Sequence, residues 1–123
     1  MAKVLVVDDS ATIRDMVKTM LRDGGHDADA ADNASMAFAN LQVGGYDVLI
    51  IDQNMPGLTG IEATKMLRSN ARFNGMKIII LSGDHRIQHS DGSMVAGADA
   101  YLDKPLTPAK LIAAVKLVLG LED

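Results

Sequence analysis

Residues 3–9 read KVLVVDD, a short apolar run that starts at Lys3 and ends abruptly in two acids. A run this short cannot cross a bilayer or form the core of a secretion signal. Its β-branched content, without polar alternation, is the pattern of a central strand covered on both faces. Two later runs repeat the design: DVLII at 47–51 leads into Asp52, and MKIIIL at 76–81 leads into Ser82. After the first run, Ile13, Met16, Val17, Met20 and Leu21 recur at helical spacing, with Ser10 as a candidate N-cap and Gly24-Gly25 as the stop. Buried strands that alternate with helices predict a parallel sheet with right-handed crossovers.

The remaining segments extend this alternation. His26 to Ala31 (HDADAA) predicts a poor, edge-like strand, since Ala28 and Ala30 stand where larger groups are favoured. Ala34, Ala37, Phe38 and Leu41 mark a helix ended by Gly44-Gly45, and Pro56, Gly57 and Gly60 punctuate a loop. Ile61, Thr64 and Leu67, flanked by Met66, predict another helical face. The stretch from Asp84 to Gly97 reads as the least stable helix, because Gly92 inside it costs roughly 1 kcal/mol relative to Ala. Ala98 to Leu102 is a short last strand, and Thr107 as N-cap with Pro108 at the first helical position opens a helix whose buried face is Leu111, Ile112, Val115 and Leu119. The chain thus reads as five βα units in one α/β domain over residues 1–123, with the eight methionines mostly filling gaps on core-facing helix positions.

Composition excludes several functions. Hydrophobic residues are 48% and charged residues 23% of the chain, an ordinary globular balance. A formal net charge of -4, no long Lys/Arg run and only 3% aromatics argue against nucleic acid or an anionic membrane as partner. With no cysteine there is no disulfide, thiol nucleophile or thiolate-bound zinc, and the cytoplasm is the expected compartment.

In an open parallel sheet, ligands bind beyond the carboxyl ends of the strands. Applied here, the rule collects Asp8 and Asp9 after the first strand, Asp52 after the third, Ser82 after the fourth, and Asp103 and Lys104 after the fifth. Converging carboxylates repel one another unless a cation neutralises them. An all-oxygen donor set suits a hard ion such as Mg²⁺, which leaves coordination positions for phosphate oxygens. A carboxylate beside such an ion can accept a phosphoryl group, with Lys104 and the Ser82 hydroxyl available to the equatorial oxygens.

At these residues the chain resembles the receiver domains of response regulators, most closely the single-domain chemotaxis type. The resemblance is carried by VLVVDDS at the first strand, YDVLIIDQNMPGLTG around Asp52, IIILSGD at Ser82 and GADAYLDKPLTP through Lys104. It implies a flavodoxin-like sheet in the order 2-1-3-4-5, with helices on both faces. By the same resemblance Asp52 is the phosphoacceptor of a two-component phosphorelay. Asp9 and Asp52 contact Mg²⁺ directly, Asp8 acts through water, and the Asn54 carbonyl completes the protein ligands. Ser82 is implied as the switch hydroxyl, Lys104 as the phosphate-sensing amine in a cis Lys104-Pro105 peptide, and Tyr101 as the aromatic that changes exposure. A histidine kinase or phosphotransfer protein is the implied donor. The implied reader is an output protein on the face of the Gly92 helix, the Tyr101 strand and the last helix, and the expected state is a monomer that is not an enzyme. Only Gly120 to Asp123 follow the last helical pattern, so the output is expected on another chain.

The chain departs from the family pattern in three places. Gln53 follows Asp52 where an apolar or bulky residue is usual, and strand alternation turns its side chain away from the site. Gly83 replaces the common Ala, and Ser82 replaces Thr. An aspartyl-phosphate hydrolase of the haloacid dehalogenase type would carry a second acid two residues after the nucleophile, but Asn54 stands there. A flavin or nucleotide binder on this topology needs glycine or free amides in the first loop, where Asp8 and Asp9 present the wrong sign. His85 and His89, four apart with no third ligand in view, read as solvated residues rather than a metal pair.

Overall fold

The structure is a computed structural model that describes residues 2–83 and 97–120. Five strands, β1 Lys3–Val7, β2 Asp27–Ala31, β3 Val48–Asp52, β4 Lys77–Ser82 and β5 Ala100–Asp103, form one parallel sheet in the order β2-β1-β3-β4-β5. This is the order implied by the resemblance. Among the described residues four helices accompany it, α1 Ala11–Asp23, α2 Ala34–Val43, α3 Gly60–Arg68 and α4 Pro108–Leu119, with a 3-10 turn at Ala71–Phe73. The helix expected around Gly92, and with it His85 and His89, lies outside the described residues.

Strand alternation divides the core in two. Val4, Val6, Ile50 and Ile79 face one way and pack against Val17 and Leu21 of α1 and Leu111 and Val115 of α4. Leu5, Leu49, Ile51 and Ile80 face the other way and meet Ala37 and Leu41 of α2 and Ala63 and Leu67 of α3. Both faces are covered, which is why residues 4–7 of β1, 48–51 of β3 and 78–81 of β4 are apolar without a break rather than at every second position. β2 is the edge strand its sequence suggested, burying Ala28 and Ala31 while Asp27 and Asp29 stay exposed.

Side-chain oxygens cap each helix start: Ser10 accepts from Ile13 N, Asn33 from Met36 N, Thr59 from Glu62 N and Thr107 from Lys110 N. At α3 the bond is reciprocal, since Thr59 N also donates to the Glu62 carboxylate. Two packing expectations need correction. Met66 is 51% exposed and Met36 47%, so neither fills the core; Ala63, Thr64 and Leu67 form the buried side of α3 instead. On α4 the fully packed residues are Leu111, Ala114, Val115 and Val118, while Ile112 and Leu119 are only partly buried.

Candidate functional site

Strand register aligns the chemistry. Val7 pairs with Ile51, Asp52 with Leu81 and Ser82 with Asp103, so Asp8, Asp52, Ser82 and Lys104 reach one sheet edge in a row. Asp8 is buried just past β1; its Oδ1 accepts from Ser10 N at 2.9 Å and its carbonyl accepts from Arg14 Nη1 at 2.8 Å. Asp9, the next residue, is exposed. Asp52 ends β3 and is also buried, and Ser82, ending β4, is fully buried.

The lysine predicted from the last strand arrives here. Lys104 N donates to the Ser82 carbonyl at 2.9 Å, and the Lys104-Pro105 peptide is cis, as the resemblance implied. Lys104 Nζ lies 3.0 Å from Asp52 Oδ1 and 3.3 Å from Asp8 Oδ2. The contact to Asp52 is an ion pair out of hydrogen-bond alignment, so the buried Asp52 Oδ1 accepts no directed hydrogen bond. Burial is the largest influence on Asp52 and raises its pKa; Lys104 opposes it, the Asp8 charge adds to it, and the Asn54 N–H opposes it, leaving the carboxyl above its ordinary value. Burial pulls Lys104 down, but the Asp52 and Asp8 carboxylates outweigh it and hold the ammonium above its ordinary value.

One ammonium thus pairs with two acids of a cluster of three. Asp8, Asp9 and Asp52 each bring a carboxylate oxygen within 4.8 Å of the others, close enough for one cation to touch all three. The donor chemistry and the undirected Asp52 oxygen both fit a hard divalent ion. Asn54 is exposed beside this cluster, and Tyr101 is partly buried on β5 against the core of the α2 and α3 face, where burial raises its phenol pKa. Beside Lys104 an apolar groove of about 460 Å³ runs along Ile13, Met16, Pro105 and Leu106.

Sequence reasoning missed two supports. Gln53 does turn away from Asp52, but it also fastens α3: its carbonyl accepts from Gly60 N at 3.2 Å and its Oε1 from Ile61 N at 2.8 Å. A polar residue straight after an apolar strand was the available signal. Arg14 holds the Asp8 carbonyl from one turn into α1, a contact that no motif announces.

An acid-lined carboxyl edge on a 2-1-3-4-5 sheet marks the flavodoxin-like class of signalling domains that includes the chemotaxis regulators. The chain belongs to the response regulator receiver domain family, matching it over residues 4–116. Among its relatives, chemotaxis protein CheY1 of Helicobacter pylori is 36% identical over 98% of this chain and 99% of its own. The structure of the chemotaxis response regulator CheY4 of Vibrio cholerae superposes with a TM-score of 0.88 at 36% identity, covering 96% of this chain and 98% of its own. Response regulator protein TrrA of Thermotoga maritima, solved in complex with Mg²⁺-BeF, gives 0.84 at 35% identity over 96% of this chain and 99% of its own. The chain is thus a receiver domain of the two-component type, a signalling switch. No helix among the described residues is long and apolar enough to cross a membrane.

Proposed function

We propose that the whole chain, residues 1–123, acts as a cytoplasmic, monomeric switch in which Asp52 accepts a phosphoryl group from a histidine kinase or phosphotransfer protein. The buried Asp52 Oδ1, close to an ammonium but without a directed hydrogen bond, is the observation that carries this reading. Asp8, Asp9, Asp52 and the Asn54 carbonyl would hold Mg²⁺, with Asp8 acting through water. When bound there, the ion neutralises the carboxylates and the incoming phosphate oxygens.

An Asp52 carboxylate oxygen forms the new bond to phosphorus while the bond from phosphorus to the donor nitrogen breaks, and the electron pair leaves with the imidazole. Lys104 moves from the Asp52 carboxylate to a phosphoryl oxygen, and the Ser82 hydroxyl donates to another. The groove supports docking of the donor, since Lys104, 3.0 Å from Asp52 Oδ1, lines it together with the apolar Ile13, Met16, Pro105 and Leu106. Output runs through the face that includes Tyr101 and α4, where the partly buried ring turns inward as Ser82 is drawn to phosphate. Asn54 at the position of a hydrolase's second acid supports a switch over a turnover enzyme.

Incubation with acetyl phosphate tests this. Wild-type protein should gain one phosphoryl mass with Mg²⁺ and none with a chelator, and Asp52→Asn should gain none in either condition. Equal labelling of the variant would overturn the assignment.

A further inference from the structure

At the opposite edge of the sheet from Asp52, where β3 and β4 begin, a cavity of about 210 Å³ opens between the α2–β3 turn and the turn before β4. Its apolar walls come from Leu41, Phe73 and Met76. Two cations flank it. Lys3 Nζ lies 4.5 Å from the centre of the Tyr46 ring, and the Arg72 guanidinium lies 5.6 Å from that of Phe73. Both reach the Gly44-Gly45 turn: a Cβ on Gly44 would sit 3.6 Å from Arg72 Nη2, and one on Gly45 would sit 3.5 Å from Lys3 Nζ. The two glycines have φ of 91° and 90°, a conformation L side chains rarely adopt, so the backbone between the cations stays bare.

Among the described residues no carboxylate lies within salt-bridge distance of Lys3 or Arg72. Arg72 spends its hydrogen bonds on the neutral Gln42 side chain and carbonyl. Two acids stand nearby without reaching either cation, Asp47 Oδ2 accepting from Lys3 N at 2.9 Å and Asp29 Oδ2 from the Tyr46 hydroxyl at 2.7 Å. The N–H groups of Gly45 and Gly75 find no acceptor among the described residues.

We propose that this cavity binds a small organic carboxylate, its ring-sized apolar body against Phe73 and Met76 and its carboxylate between Lys3 and Arg72. A cavity of about 150 Å³ is enough to hold a benzene ring, so the space suits an aromatic acid rather than a larger cofactor. Two cations that lack a salt-bridge partner among the described residues favour an anion, and a guanidinium matches a carboxylate in shape. The site is independent of the phosphoacceptor reading, so Asp52→Asn should bind as wild type does.

Titration of the full chain with benzoate, followed by backbone amide shifts, tests the proposal. Saturable shifts are expected at Gly44, Gly45, Tyr46 and Gly75, with benzamide and inorganic phosphate each weaker by about tenfold or more. Arg72→Gln and Lys3→Gln should each weaken benzoate by about tenfold while taking beryllofluoride at the distant edge as wild type does. The proposal is overturned if those amides do not saturate, if benzamide matches benzoate, or if phosphate does. The neutral benzamide comparison needs no variant and so decides the matter even if one fails to fold.

Discussion

At Gly60 the geometry of the acceptor is set by a side chain that is not there. A Cβ at this position would lie 2.9 Å from the Asp52 carbonyl oxygen and 3.1 Å from Gln53 Cα, both backbone atoms that cannot swing aside. The same glycine donates its N–H to Gln53 at 3.2 Å, so α3 begins by closing against the residue after the acceptor. Gly60→Ala should therefore displace the Asp52 backbone, with a loss of about 1–3 kcal/mol typical of overpacking. Urea melts would measure the stability, and the rate of labelling by acetyl phosphate would report the displaced carboxylate. Unchanged values for both would show that the contact relaxes freely. In the sequence Gly60 was legible only as loop punctuation, because the atoms it must avoid are brought near by the turn at 56–59. Asp8, Asp9, Asp52 and Lys104 were legible for the opposite reason: each lies at the end of a strand or within two residues of it, and strand ends in a parallel sheet converge whatever the loops do.

Among the elements, β5 is held at its start by a residue of α3. Arg68 donates Nε to the Gly97 carbonyl at 2.8 Å, Nη1 to the Phe73 carbonyl at 2.7 Å and Nη2 to Asp99 Oδ2 at 2.9 Å. Asp99 Oδ2 in turn accepts from Ile78 N at 2.8 Å, tying β4 into the same cluster. Removing the guanidinium leaves the Gly97 carbonyl without its donor, while the Phe73 carbonyl keeps Met76 N and Asp99 keeps Ile78 N, so Arg68→Ala should lower stability by about 1–3 kcal/mol. Arg68→Lys should recover only part of this, since an ammonium cannot meet three acceptors arranged around a planar fork. Full recovery with lysine in equilibrium unfolding would reduce the role of Arg68 to its charge. None of this network was readable beforehand, because its bonds to Gly97 and Asp99 span 29 and 31 positions and its residues carry no motif. The elements themselves were readable where burial is two-sided, as in β1, β3 and β4. They were less so where alanine replaces bulk, as in β2 and on the inner sides of α3 and α4.

For the molecule as a whole, the two sheet edges are built differently. The carboxyl edge gathers charge, while at the amino edge a buried imidazole has its pKa lowered. His26, buried between α1 and β2, accepts the Ala2 N–H on Nδ1 at 3.1 Å, which fixes the entry to β1. Burial lowers its pKa from the ordinary 6.5, and the Lys116 charge lowers it further. The imidazolium would turn Nδ1 from acceptor to donor against the Ala2 N–H and place a charge where there is little solvent. Because the folded-state pKa lies below the unfolded one, the unfolded chain takes up a proton first as pH falls, and between the two values stability rises with pH. The contribution is thus fully present above about 6.5 and is lost as pH drops toward the depressed folded value. Asp52, with its raised pKa, titrates in the opposite sense, so the wild-type curve alone would mix the two. His26→Asn separates them, since its Oδ1 can take the place of Nδ1 as acceptor but does not titrate. The stability difference between wild type and His26→Asn should be flat above neutrality and shift against the wild type as pH falls below 6.5. A difference that stays constant from pH 8 to pH 5 would show that His26 takes up its proton equally in both states, and that the amino edge carries no such dependence.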